Sequence, residues 1–118
     1  MENVELFETA IAWAKKKGIK SIKANTENYD TPSKFTRKGD DEDDVIPDIT
    51  GVQSTNKCYV EIAQKADDVQ RIVSKWKLLS RMAEIKGGRL YLLAPRGSKA
   101  FTEKIVEQHN LKARVESL

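Results

Sequence analysis

Residues Pro47–Lys65 read PDITGVQSTNKCYVEIAQK. Two strand-like runs, Val45–Gln53 and Cys58–Lys65, flank the turn residues Ser54, Thr55, Asn56 and Lys57, which is the pattern of a β-hairpin. Asp48 falls on the first strand and Glu61 on the second, with twelve residues between them, so the hairpin brings two carboxylates together at one edge of a sheet. Aspartate is disfavoured in strands. A glutamate between Val60 and Ile62 that is covered by a helix needs a partner or a metal. The ordinary alternatives are a turn aspartate after Pro47 and a solvent-facing strand glutamate. Two carboxylates on rigid neighbouring strands can hold Mg²⁺ or Mn²⁺ through oxygen, with water completing the octahedron. The carbonyl of Ile62 is a candidate further ligand. Phosphodiester hydrolysis uses such an ion to polarise the phosphate and activate water.

Working outward, Asp67 or Asp68 caps a helix ending near Lys86, with the apolar stripe Val69, Ile72, Val73, Trp76, Leu79 and Ala83, and Gly87 and Gly88 stop it. Leu90–Ala94 is almost continuously apolar, as expected of a strand buried on both faces. Ser98 starts a helix to about Gln108, and Lys112–Ser117 forms a short last strand. Before the hairpin, residues 3–17 place Val4, Phe7, Ile11 and Ala14 at helical spacing, with acids early, lysines late and Gly18 at the end. Residues 19–25 alternate as a strand with Ile22 and Ala24 inward. Residues 26–44 read as a long acidic loop, mobile in part, with Tyr29 and Phe35 pinning it to the body. The order predicts a single α/β domain over residues 1–118, with a mixed sheet flanked by helices.

The chain has 118 residues, 33% of them charged and 39% hydrophobic, which is ordinary for a soluble domain. No apolar run is long enough to span a bilayer, the N-terminus lacks a signal-peptide shape, and Cys58 is the only cysteine. A cytoplasmic location without membrane contact follows as the expectation. The net charge of +3 hides a separation: Asp40–Asp44 form one acidic run, while basic residues cluster in the remainder, including Arg71, Lys75, Lys77, Arg81 and Lys86 along the long helix. Such patches suit a phosphate backbone, although a solvated helix face is the commoner meaning. Cys58, Trp13 and Trp76 read as core, and His109 as a charge partner near a helix C-terminus. No phosphate-cradling glycine motif occurs, and the acidic run lacks calcium-loop spacing.

Pro47-Asp48, twelve residues, then Glu61-Ile62-Ala63 resembles the signature of the PD-(D/E)xK nucleases. The element order over roughly residues 3–94 is also similar to that family's core. The resemblance implies a restriction-endonuclease-like αβββαβ core carrying an additional C-terminal helix and strand. It further implies a Mg²⁺- or Mn²⁺-dependent endodeoxyribonuclease with Asp48 and Glu61 as metal ligands and a glutamate from the first helix, Glu8 ahead of Glu5, beside them. The pattern breaks at position 63, where the family has lysine and this chain has alanine. Alternating side chains put Glu61, Ala63 and Lys65 on one face of the strand, so Lys65 takes the catalytic lysine's place in this reading, ahead of Lys75 or Lys77 on the following helix. Lys75, Lys77 and Lys86 are assigned to the nucleic-acid backbone. A domain this small is expected to act as a homodimer. Ala63 motivates a second reading, a nuclease fold that binds nucleic acid or protein without catalysis, and the acidic loop a third, an interaction domain unrelated to nucleic acid.

Overall fold

The computed structural model describes residues 4–36 and 44–118. Helix α1 (Val4–Lys16) precedes strand β1 (Lys20–Ala24) and a short two-stranded pair, β2 (Phe35–Thr36) and β3 (Asp44–Val45). The hairpin follows as β4 (Ile49–Gln53) and β5 (Asn56–Ile62), then α2 (Val69–Ile85), β6 (Arg89–Ala94), α3 (Lys99–Gln108) and β7 (Arg114–Ser117). The main sheet has the order β1-β4-β5-β6-β7. The β1–β4 and β4–β5 pairs are antiparallel, and the β5–β6 and β6–β7 pairs are parallel. Over the described residues the fold is therefore α/β, with a mixed five-stranded sheet and three helices.

Period-two alternation divides the core between the two faces of this sheet. Cys58 and Val60 of β5, with Tyr91 and Leu93 of β6, pack against Phe7, Ala10, Ile11 and Ala14 of α1. Tyr59, Leu90 and Leu92 point the other way, onto Val73, Trp76, Leu79 and Ala83 of α2 and Ile105 of α3. Because β6 is buried on both faces, its apolar run is continuous rather than alternating. Cys58 and Trp76 are buried, and Trp13 packs edge-on to Tyr91, all as core residues. His109 caps the C-terminus of α3. Among the described residues no helix is long and apolar enough to cross a membrane.

Several boundaries differ from the sequence reading, each for a local reason. The expected strand Val45–Gln53 is broken: Val45 pairs with Phe35 in the small second sheet, and β4 begins only at Ile49. Tyr29 and Phe35 do pack onto the two cores, Phe35 against the Tyr59 ring at 6.0 Å. Most of the acidic run, residues 40–43, lies outside the described residues, as does Asn3, the expected cap of α1; Asp44 pairs with Lys34 at 3.0 Å. The strand expected to continue to Lys65 ends at Ile62. Ala63 still donates its N–H to Leu93 O, but the Lys65 N–H donates to Ser98 Oγ at 3.0 Å, so the chain has turned toward α3. Ser98 thereby spends its hydroxyl on that exit and makes no side-chain cap on its own helix. In α2 the cap is Asp68, which accepts from the Arg71 N–H, and Val69 is exposed rather than part of the stripe.

The turn between α2 and β6 sets how closely the helix end approaches the hairpin. A Cβ added at Gly88 would lie 1.5 Å from Lys57 O and 2.5 Å from Lys57 C. Those are backbone atoms of β5 and cannot swing aside, so glycine is required there for space. Gly88→Ala is expected to cost about 3 kcal/mol or more, the upper end for overpacking, read as a lower urea midpoint.

Candidate functional site

Asp48 sits one residue before β4, and Glu61 is the penultimate residue of β5. The register pairs Ile49 with Val60, so the two carboxylates meet at the same end of the hairpin, on its α2 face. They are joined by a reciprocal clasp through backbone. The Asp48 N–H donates to Glu61 Oε2 at 2.6 Å, and the Ile62 N–H donates to Asp48 Oδ2 at 2.9 Å. Glu61 thus satisfies the main-chain donor of Asp48 itself and Asp48 that of the residue after Glu61, and each acid keeps one further oxygen.

Both remaining oxygens face the same ammonium. Lys75 Nζ lies 2.9 Å from Glu61 Oε1 and 3.4 Å from Asp48 Oδ1. Lys75 comes from the second turn of α2, where Ile72 and Trp76 turn the same flank toward the sheet. The Glu61 side chain is 2% exposed, against 21% for Asp48 and 28% for Lys75, so the group is closed at its glutamate end and open at its lysine end. Leu6, Phe7, Asp48, Glu61, Ile62, Gln64, Ala66, Ile72, Lys75 and Trp76 line a cavity of 320 Å³ at that open end.

Two carboxyl groups face one ammonium, and Glu61 is much the more buried of the two acids. Burial, reinforced by the Asp48 carboxylate, raises the Glu61 carboxyl from 4.5 to about 8, and Lys75 opposes that rise without cancelling it. Burial works to lower the Lys75 ammonium, but Glu61 and Asp48 more than offset it, and its pKa is raised above 10.5. Once Glu61 is ionised, its Oε1 and Asp48 Oδ1 are two oxygens that could ligate a hard divalent cation. Asp48 and Glu61 would hold such an ion, and Ile62 lines the same cavity. Among the described residues no third histidine, cysteine, aspartate or glutamate joins them.

The other sequence-selected residues lie elsewhere. Glu8 and Glu5 are exposed on α1, which reaches the cavity through Leu6 and Phe7 instead. Lys65 is exposed beyond the end of β5, so it does not share a strand face with Glu61, and it is not among the cavity residues. Lys77 is exposed beside a separate cavity with Arg81 and His109. Lys86 stands about 16 Å farther along α2 than Lys75, near Lys57, whose pKa is lowered first by burial and then by repulsion from Lys86 and Lys23. Lys75, Lys77 and Lys86 therefore occupy three different places. The direct contact of Lys75 with the carboxylates had one trace in the sequence: its position at the margin of the apolar stripe of α2, beside Ile72 and Leu79. Comparisons with protein-family models, with curated proteins and with solved structures give no match.

The Glu61 shift carries a signed consequence for stability. Between pH 4.5 and about 8 the folded chain holds the Glu61 proton and the unfolded chain has released it. The folded state then binds more protons, so stability falls as pH rises through that window. Lys75 acts at higher pH: its raised value gives a contribution complete below 10.5 and lost above the folded pKa. In urea unfolding of the metal-free protein, the free energy is expected to decline across the Glu61 window. Glu61→Gln removes most of that slope.

Proposed function

We propose that this chain is a metal-dependent nuclease that hydrolyses phosphodiester bonds of DNA, built on a restriction-endonuclease-like fold. The observation that carries this reading is the Lys75 ammonium set 2.9 Å from Glu61 and 3.4 Å from Asp48. It supplies, from α2, the positive charge that the PD-(D/E)xK pattern expects at position 63, where this chain has alanine. Asp48 and Glu61 are the ligands of Mg²⁺ or Mn²⁺ in this proposal. When bound, the ion supplies a Lewis acid for the phosphate and lowers the pKa of a coordinated water. Lys75 orients the attacking water and stabilises charge developing on the phosphoryl oxygens. The antiparallel hairpin joined through α2 to a parallel strand supports the fold assignment. Exposed Lys77 and Lys86 are assigned to the backbone of the substrate, with a homodimer extending that basic surface.

The reciprocal clasp favours one competing reading. Every carboxylate oxygen at the site already accepts a hydrogen bond or faces the ammonium. The group would thus hold the hairpin to α2 in a nuclease fold that binds nucleic acid or protein without cleaving.

Cleavage of labelled single-stranded, duplex and branched DNA, with RNA alongside, in Mg²⁺ and in Mn²⁺ separates the two. Asp48→Asn, Glu61→Gln and Lys75→Met are each expected to lower the rate by about 100-fold or more. Lys65→Ala should change it by no more than about twofold, as for an exposed side chain away from the site. Full activity in Lys75→Met with a large loss in Lys65→Ala would return the role to Lys65. Absence of cleavage by the folded, metal-supplied protein on every substrate would leave the binding module.

A further inference from the structure

Lys75 lines two cavities. One is the 320 Å³ cavity at the carboxylate pair. The other, of 520 Å³, has Asp44, Asp68, Arg71 and Ser74 in its wall with Lys75. Lys75 is therefore common to the walls of both.

Hydrogen bonding determines what can bind at the pair. Glu61 Oε2 is occupied by the Asp48 N–H and Asp48 Oδ2 by the Ile62 N–H. Oε1 and Oδ1 accept no backbone N–H, and Lys75 Nζ faces both. A divalent ion held by both of these oxygens would lie on the side that the ammonium now faces. An ammonium and a dication cannot share it, because the repulsion of like charges is strongest where water is excluded.

We infer that Lys75 is the resident cation of this site and that a divalent metal binds by exchange, with the ammonium withdrawing from between the two carboxylates toward the neighbouring cavity that Lys75 also lines, and acting on the attacking water of the proposed reaction from that displaced position. The inference rests on the metal-site reading above. Lysine suits the movement: it carries a compact charge on a flexible four-carbon stem, and its side chain is 28% exposed. The second cavity carries Asp44 and Asp68 as well as Arg71, with Asp44 already paired to Lys34 and Asp68 capping α2. The exchange would bring the ammonium toward Ser74 and toward the like charge of Arg71, which line that cavity with it, only once the metal is present.

A brief pulse of an amine-acetylating reagent, read by peptide mass spectrometry across a Mn²⁺ titration, tests this without reference to cleavage. Labelling of Lys75 is expected to rise by about tenfold on Mn²⁺ saturation, the scale of a site-to-site coupling. Lys65 and Lys77 serve as internal references that stay constant, and Asp48→Asn should abolish the metal response. In parallel, Lys75→Met is expected to bind Mn²⁺ about tenfold more tightly by calorimetry, since the competing cation is gone. That titration is run in alkaline buffer, where protons compete least for the carboxylates. Mn²⁺ binding by Lys75→Met alone would also support the exchange. Binding by the unmodified chain with Lys75 labelling flat or reduced, and no gain in Lys75→Met, would overturn it while leaving the metal site in place. If neither protein binds Mn²⁺, the exchange and the metal-site reading both fall.

Discussion

A glutamate placed on a buried strand imposes the main constraint on this molecule. Glu61 is almost wholly enclosed, so its two oxygens must be met by donors within the protein. One donor is the backbone of Asp48, which requires the hairpin to keep its register. The other is Lys75, which requires α2 to present one particular flank to the sheet. Slipping β4 by one residue would remove the first donor and send every apolar side chain of that strand to the wrong face. Rotating α2 would remove the second and expose Trp76 and Leu79. The polar site and the apolar core therefore specify the same arrangement.

Much of this was legible because short-range periods carry it. The hairpin, the meeting of Asp48 with Glu61, the stripe of α2 and the doubly buried β6 each follow from spacing within one or two elements. What was not legible depends on contacts distant in sequence. Strand β5 stops at Ile62 because the Lys65 N–H finds the hydroxyl of Ser98, and nothing in the strand itself announces that. The small β2–β3 pair uses four residues drawn from the margins of an acidic, turn-rich stretch. Which flank of α2 meets the carboxylates depends on the direction in which the helix crosses β5. From sequence, the margin holding Lys75 and the one holding Lys77 looked alike.

The structure also clarifies the alanine at position 63. Ala63 is fully buried on the α2 side, in the cluster with Tyr59, Val73 and Trp76. A lysine stem there would have to displace helix side chains to carry its charge to Glu61, whereas Lys75 approaches from the open side of the same pair. With the ammonium coming from the helix, position 63 is given to packing, and a small residue there lets α2 lie close on β5.

The bond from Lys65 to Ser98 ties the segment leaving β5 to the start of α3. Thr102, one turn into that helix, adds a buried hydroxyl against Ala63 O. Gln64 and Ala66, which wall the cavity, lie on this same tethered stretch. The C-terminal helix and strand therefore behave as a buttress rather than an appendage. Sequence change along the α3 side of that joint would be felt as altered cavity shape, without any residue of the charged trio being touched.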